Sequence, residues 1–304
     1  MKRILAAVAL TFMVSSASAQ EERTFYLISH GAESDPFWIS WNAGAQSTCK
    51  QLRVTCNISF SNGDFAIQKE AFNAAIASAP DGIAVTSAQP GLWTQEVPLA
   101  QKNGIPVVFF NSDDPSTGRN AYVGADLKLA GSIWAQYLVD KGLVKAGDKV
   151  FLPVEVPGAS YQQLETSGIA AVFDPLGIKY DVVDTGADPA GVIQRMSEYM
   201  IANDVDAMIG LGDLVMSNAQ RVMENVNMAP GDIPVVGWGN SRETAMAVKA
   251  GYVAAALWQY PVDQGSLPVF LLNSAASGNP IGYDISTLQL YDNDTVGPIL
   301  EQYK

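Results

Sequence analysis

Residues 104–112 read Gly-Ile-Pro-Val-Val-Phe-Phe-Asn-Ser. The run from Ile105 to Phe110 is apolar almost throughout and stops at two small polar residues. Such runs suit strands of a parallel sheet covered on both faces, where neither side meets water. The pattern recurs upstream at Thr24–Ser29 (TFYLIS), Val54–Phe60 and Ile83–Ser87. Between these runs the spacing changes. Trp41, Ala45, Thr48 and Leu52 recur at helical intervals, and Ile67, Ala71, Ala75 and Ala79 predict a second helix face. After a linking strand near 120–125, strands are predicted at 149–156, 180–185, 207–211, 233–238 and 253–259, with helical stretches between. The βαβαβ rhythm therefore occurs twice. It predicts an α/β fold of two Rossmann-like lobes, each an open parallel sheet flanked by helices. Right-handed crossovers bring all strand C-termini to one edge, and ligands gather outside that edge. Two such units invite a cleft between facing edges.

Length and composition agree. A chain of 304 residues suggests about two domains. With 48% hydrophobic and 16% charged residues it is too apolar for a disordered chain. The net charge of -13 argues against nucleic acid and against an anionic membrane surface, both of which would repel it.

Lys2 and Arg3 precede an apolar run from Ile4 to Val14, followed by small residues at Ala17 and Ala19. This order predicts a secretory signal peptide cut after about Ala19, and so an exported, periplasmic protein. The run is too short to span a bilayer. An oxidising compartment permits a disulfide between Cys49 and Cys56, the alternative being two buried thiols. With a single His, no metal site is expected.

Catalytic motifs are missing. There is no G-x-S-x-G, no H-E-x-x-H and no phosphate-binding G-x-x-x-x-G-K-[ST]. Gly210-Leu211-Gly212 starts like a dinucleotide fingerprint, but Val215 stands where the third glycine belongs. No cofactor and no catalytic residue are expected.

Polar residues instead gather where strands end. Ser29-His30 leads to Asp35-Pro36-Phe37-Trp38, where Asp35 is placed to cap the next helix and Pro36 to begin it. Phe37 and Trp38 are adjacent, so one is expected to pack inward and the other to face the cleft. Asn111-Ser112, Asp213, Asn240 and Gln259 close other strands. Amides and carboxylates hydrogen-bond hydroxyls in fixed directions, and Arg and Lys are missing from these turns. That set suits a neutral polyhydroxylated molecule better than a phosphate. Trp93 and Trp258 stay open between core and cleft.

These residues resemble the periplasmic sugar-binding proteins of ABC importers, in the ribose-binding-like (type I) group. The resemblance spans the mature chain and is carried by the first strand into Asp35-Pro36-Phe37-Trp38, by Gly104-Ile105-Pro106-Val107-Val108, by Ile233-Pro234-Val235-Val236-Gly237-Trp238 and by Gln259-Tyr260-Pro261. It implies two lobes joined by three crossing segments. The first takes 20–124 and 260–286, the second 125–259 and 287–304. Carried over by position, ligand contacts would be Ser29, Asp35, Phe37, Trp38, Asn111 and Ser112 from the first lobe. Glu165, Asp213, Asn240 and Gln259 would serve from the second lobe and hinge, and His30 would add a donor or bulk. The chain departs from the ribose pattern where Asn111-Ser112 and Glu165 replace arginine-bearing positions, and where Gly237-Trp238-Gly239 and Gly212-Asp213 stand. Ribose itself is therefore disfavoured, and another monosaccharide or sugar alcohol is expected. The implied partner is a membrane permease, the implied state a monomer. Three rivals are a furanosyl signalling compound as ligand, an exported carbohydrate-active enzyme, and a sugar-sensing repressor. The repressor needs an N-terminal DNA-binding helix pair where the signal peptide stands.

Overall fold

The computed structural model describes residues 22–282 and 284–303; the expected signal peptide and its cut after Ala19 lie outside the described residues. The chain opens with β1 (Thr24–Ser29), α1 (Pro36–Leu52), β2 (Thr55–Phe60), α2 (Phe65–Ala77), β3 (Gly82–Val85), α3 (Glu96–Lys102), β4 (Val107–Phe110) and β5 (Ala121–Gly124). It continues with α4 (Leu127–Asp140), β6 (Lys149–Val154), α5 (Ser160–Phe173), β7 (Lys179–Asp184), α6 (Pro189–Ala202) and β8 (Ala207–Gly210). Then come α7 (Asp213–Ser217), α8 (Ala219–Asn225), β9 (Val235–Trp238), α9 (Arg242–Ala250) and β10 (Ala255–Trp258). The last elements are α10 (Pro261–Ala276), β11 (Asp284–Ser286), β12 (Gln289–Asp292) and α11 (Gly297–Glu301).

Two six-stranded sheets result, ordered β11-β5-β4-β3-β1-β2 and β12-β10-β9-β8-β6-β7. The same circuit is run twice. Within the sheets β12 is antiparallel to β10, and the other pairings are parallel. Strands β3, β4, β5, β8 and β9 are buried at every position, as continuous apolar runs require, whereas the edge strands β2 and β7 are partly exposed. The segment predicted as a link near 120–125 is β5, an interior strand between β4 and β11. The short β11 and β12 give little sequence signal and were not predicted.

The helices start where strands end because carboxylates cap them. Asp35, Asp64, Asp126 and Asp188 each accept hydrogen bonds from backbone N–H groups in the first turn that follows. The face of α2 differs from its expected one. Gln68, Phe72 and Ala75 are buried, while Ile67 is half exposed and Ala79 lies beyond the helix end at φ 49°. Phe72 outweighs the alanines because it packs on the buried Trp93 ring at 4.8 Å. Trp93 donates to Thr86 O at 2.9 Å and belongs to the core. Cys49 of α1 and Cys56 of β2 are bonded, and Arg53 turns the chain between them at φ 57°.

Two helix pairs pack backbone against backbone, one behind each sheet. In α1 and α10, a Cβ at Gly44 would lie 2.2 Å from Val262 O, and one at Gly265 2.0 Å from Trp41 O. In α4 and α5, a Cβ at Gly131 would lie 2.0 Å from Glu165 O, and one at Gly168 2.0 Å from Lys128 O. Only glycine permits these approaches. Replacing Gly265 with Ala should therefore force α1 and α10 apart at a cost of about 1–3 kcal/mol, as overpacked cores do. Urea unfolding checks this: the midpoint falls with the slope unchanged if the helices merely shift.

Candidate functional site

A cavity opens between the facing C-terminal edges of the two sheets. The first sheet and its helices supply His30, Asp35, Phe37, Trp38 and Asn111. The second supplies Glu155, Tyr161, Glu165, Asp213 and Trp238, and Gln259 sits where the chain crosses back. Eight of the eleven residues predicted to touch ligand line this cavity: His30, Asp35, Phe37, Trp38, Asn111, Glu165, Asp213 and Gln259.

Asp35 serves two purposes. One oxygen accepts from Phe37 N at 2.8 Å and caps α1, and the same residue faces the cavity. Phe37 and Trp38 were expected to divide between core and cleft. Both are buried and both line the cavity, edge to face at 4.8 Å. Successive side chains on a helix diverge by roughly 100°, and the cavity wraps the first turn of α1 widely enough to meet both. The Trp38 indole lies against Gly31, where a Cβ would sit 1.8 Å from Nε1. Any side chain at position 31 would displace this wall.

His30 is held by Thr86. The threonine hydroxyl accepts from His30 N at 3.0 Å and from Gln68 Nε2 at 2.8 Å. Gln68 Nε2 also donates to Thr86 O at 3.2 Å, which fixes its amide orientation. With both hydroxyl lone pairs used, the hydroxyl proton goes to His30 Nδ1 at 2.9 Å. The remaining ring nitrogen, Nε2, therefore carries the imidazole proton. Burial lowers the His30 pKa to about 4, so the ring is neutral near pH 7.

Three predicted contacts do not line the cavity. Ser29 is fully buried and its hydroxyl accepts from Gly31 N at 2.9 Å. Ser112 is fully buried and donates to Asn111 Oδ1 at 3.1 Å. Asn240 is fully buried and acts as a brace: its N and Nδ2 donate to the two Asp213 oxygens at 2.9 and 2.5 Å, and its Oδ1 accepts from Gln259 N at 2.6 Å. Each of these polar groups is consumed locally, so each shapes the turn that carries a lining residue.

The sequence reading missed Glu155, Tyr161, Trp238 and Gln264. Glu155 was placed inside a strand running to 156, but β6 stops at Val154, which puts Glu155 at a strand end. There its Oε1 accepts from Val215 N at 3.1 Å. Tyr161 lies one turn before Glu165 on α5 and stacks on His30 with centroids 6.0 Å apart. Trp238 ends β9 and donates from Nε1 to Glu165 Oε1 at 3.0 Å. Gln264 of α10 is fully buried and donates to Gln259 O and Thr287 Oγ1, both at 3.0 Å, tying two crossing segments together. Trp258 stacks on Tyr260 at 4.4 Å and is not among the lining residues.

Further bonds clasp the two units beside the cavity. Ser160 N donates to Ala88 O and Ser160 Oγ to Ser87 O, both at 2.6 Å. Inside, burial raises the carboxyl pKa values. Glu155 rises to about 7 and Asp213 to about 6. Glu165 is pushed well above the usual carboxylate range, although the Trp238 N–H works against the shift. Asp35 is raised by desolvation, then by the Asp213 and Glu155 charges.

A sequence description of the periplasmic binding protein domain matches residues 25–280. The chain belongs to the periplasmic binding protein family. A xylose/arabinose-binding protein of Sulfolobus acidocaldarius is 26% identical over 260 residues, covering 78% of this chain and 62% of the relative's length. A carbohydrate transporter structure from Acidothermus cellulolyticus, in complex with myo-inositol, superposes with a TM-score of 0.83 at 21% identity over 92% of this chain and 98% of that one. A solute-binding protein of an ABC transporter from Burkholderia graminis, in complex with D-arabinose, gives 0.82 at 23% identity, covering 90% and 96%. These likenesses describe the fold, a two-lobed type I architecture. The family is one of binding proteins rather than enzymes.

The raised carboxyl pKa values have a thermodynamic consequence. A group whose pKa is higher in the folded state stabilises the fold at low pH, and that stability is lost as pH rises through the folded value. Glu155, with its value near 7, makes the ligand-free protein less stable at pH 8 than at pH 6.5. His30 acts in the opposite sense, but its contribution is nearly complete by pH 6.5. Thermal melts across this window should show a falling Tm, and Glu155→Gln, which retains an acceptor for Val215 N, should flatten the slope.

Proposed function

We propose that the protein is the solute-binding component of an ABC importer, capturing a monosaccharide or sugar alcohol between its lobes and presenting it to a membrane permease. One observation carries this reading. Aromatic rings from both lobes wall a cavity whose polar groups are carboxyls, amides and one neutral imidazole, with no Arg or Lys among the described lining residues. Aromatic faces cover the C–H sides of a sugar ring, and directional acceptors take its hydroxyls. A phosphate would find no cation there. Two relatives of similar fold hold myo-inositol and D-arabinose, which adds support for a small polyol.

The lobes of this reading are 20–124 with 260–286 and 125–259 with 287–304. In favour, α10 packs on α1 and β11 adds to the first sheet, while β12 adds to the second. The working form is an exported monomer, freed of its leader after about Ala19. Ligand closes the lobes by hinge bending, selecting the state in which Ser160 reaches the Ser87 and Ala88 carbonyls.

A thermal-shift screen of the mature protein against sugars and sugar alcohols tests the proposal. A ligand at about 100 times its Kd adds about 2.7 kcal/mol of stability, which is readily seen. The compound should be recovered unchanged; recovery as product would make the protein an enzyme. Asp35→Ala and Gln259→Ala should each weaken binding by about 1–3 kcal/mol, since a ligand hydroxyl loses its partner in a dry site. Unchanged affinity in both variants overturns the site assignment, and the absence of any shift overturns the carbohydrate reading.

A further inference from the structure

The cavity gathers four carboxyl groups, Asp35, Glu155, Glu165 and Asp213, drawn from both sheets. Among the described residues no Lys or Arg lines it, and the one basic group there, His30, has its Nδ1 bound to Thr86 and stays neutral near pH 7. Asp213 is bonded at both oxygens to Asn240, while Glu155 and Asp35 each accept at one oxygen, from Val215 N and Phe37 N. Glu165 differs in the burial of its second oxygen. It is 1% exposed, its Oε1 takes the Trp238 indole N–H, and its Oε2 is buried with no hydrogen-bond partner among the described residues. A buried carboxyl oxygen without a hydrogen-bond partner costs free energy that the ligand-free protein does not recover.

The surroundings of Glu165 show what donor fits. The Trp238 indole is bonded to it, and Tyr161 lies one helical turn away on the same face. Trp38 and Phe37 form the opposite wall. Aromatic rings and carboxyl groups lining one cavity together stabilise an organic cation, through the ring quadrupoles and the opposite charge. A bare metal ion does not fit, because no group of three or more His, Cys, Asp or Glu among the described residues could hold one. The acidic groups line the cavity without converging on one point.

We infer that the ligand carries a protonated amine as well as hydroxyls, an amino sugar or amino cyclitol, with the ammonium group on Glu165 Oε2 and the hydroxyls on Asp35, Asn111 and Gln259. This rests on the carbohydrate reading above and narrows it. The ammonium supplies the donor that Glu165 lacks, and its charge offsets repulsion among carboxylates that burial otherwise holds against ionising. His30 presents an N–H to a ligand oxygen, which a simple alkyl amine would leave unused.

Calorimetric titration at pH 7 against matched pairs tests this: glucosamine with glucose, galactosamine with galactose, and an aminodeoxyinositol with myo-inositol. In at least one pair the amine should bind about tenfold or more tighter than its hydroxyl parent, the scale of one charge-assisted hydrogen bond in a dry site. N-acetylation, which removes the charge and keeps the N–H, should abolish the advantage. In Glu165→Gln, which retains an acceptor for Trp238, the ratio between amine and parent should shrink about tenfold. Parents that bind as tightly as their amines overturn the inference and leave the carbohydrate reading standing. An amine preference that survives Glu165→Gln unchanged overturns the role given to Glu165. No binding by either member of any pair overturns the inference, and the carbohydrate reading then stands or falls with the wider screen of sugars and sugar alcohols.

Discussion

A strand cannot pair in parallel with its neighbour through a tight turn. The chain must leave at the C-terminal edge, cross over in a helix and return to the far side. This constraint sends the ends of the parallel strands of each sheet to one edge, together with the N-termini of the helices that follow them; only the short β12 runs the other way. The residues that matter are those that leave the strands: His30 after β1, Asn111 after β4, Glu155 after β6, Asp213 after β8 and Trp238 at the end of β9. Carboxylates are favoured there because they cap helices, and Asp35 shows the economy of this arrangement by capping α1 and facing the cavity at once.

Geometry at the back of the sheets governs chemistry at the front. The contact of Gly131 with Glu165 O fixes α5 against α4, so the Glu165 side chain enters the cavity at a set depth beside Trp238. On the other side, Gly44 and Gly265 bring α10 against α1, which places Gln264 to bond Gln259 and Thr287. Trp41 completes the link by donating to Gln264 O at 3.0 Å. The hinge is thereby wired to the core of the first sheet. With Ser160 clasping the opposite rim, burial is the largest cause of the raised carboxyl pKa values.

Much of the cavity lining was legible because its signal is local. A polar residue that ends an apolar run lies at the C-terminal edge of its sheet whatever the rest of the fold does, and Asn111, Asp213 and Gln259 were found in this way, Asp35 as the cap of the helix that follows. The errors have physical causes. Glu155 was hidden by a strand predicted two residues too long. Ser29, Ser112 and Asn240 stand at strand ends, but their hydrogen bonds are spent on neighbours that the sequence does not reveal. Phe37 and Trp38 follow helical spacing correctly, yet spacing cannot say how far a cavity wraps a helix end.

Apolar periodicity alone determined two parallel α/β units and the edge on which the cavity opens, because strand and helix periods depend on which atoms avoid water along a few consecutive residues. The tertiary structure alone decided which polar groups face the cavity: Asn240 and Glu165 are both buried polar residues, but Asn240 spends its amide on Asp213 and Gln259 while Glu165 keeps one oxygen unpartnered. It alone brought four carboxyls from both halves of the chain around one space with no Lys or Arg among the described lining residues. That is a matter of distance through space between residues far apart in the chain, and no local pattern encodes it.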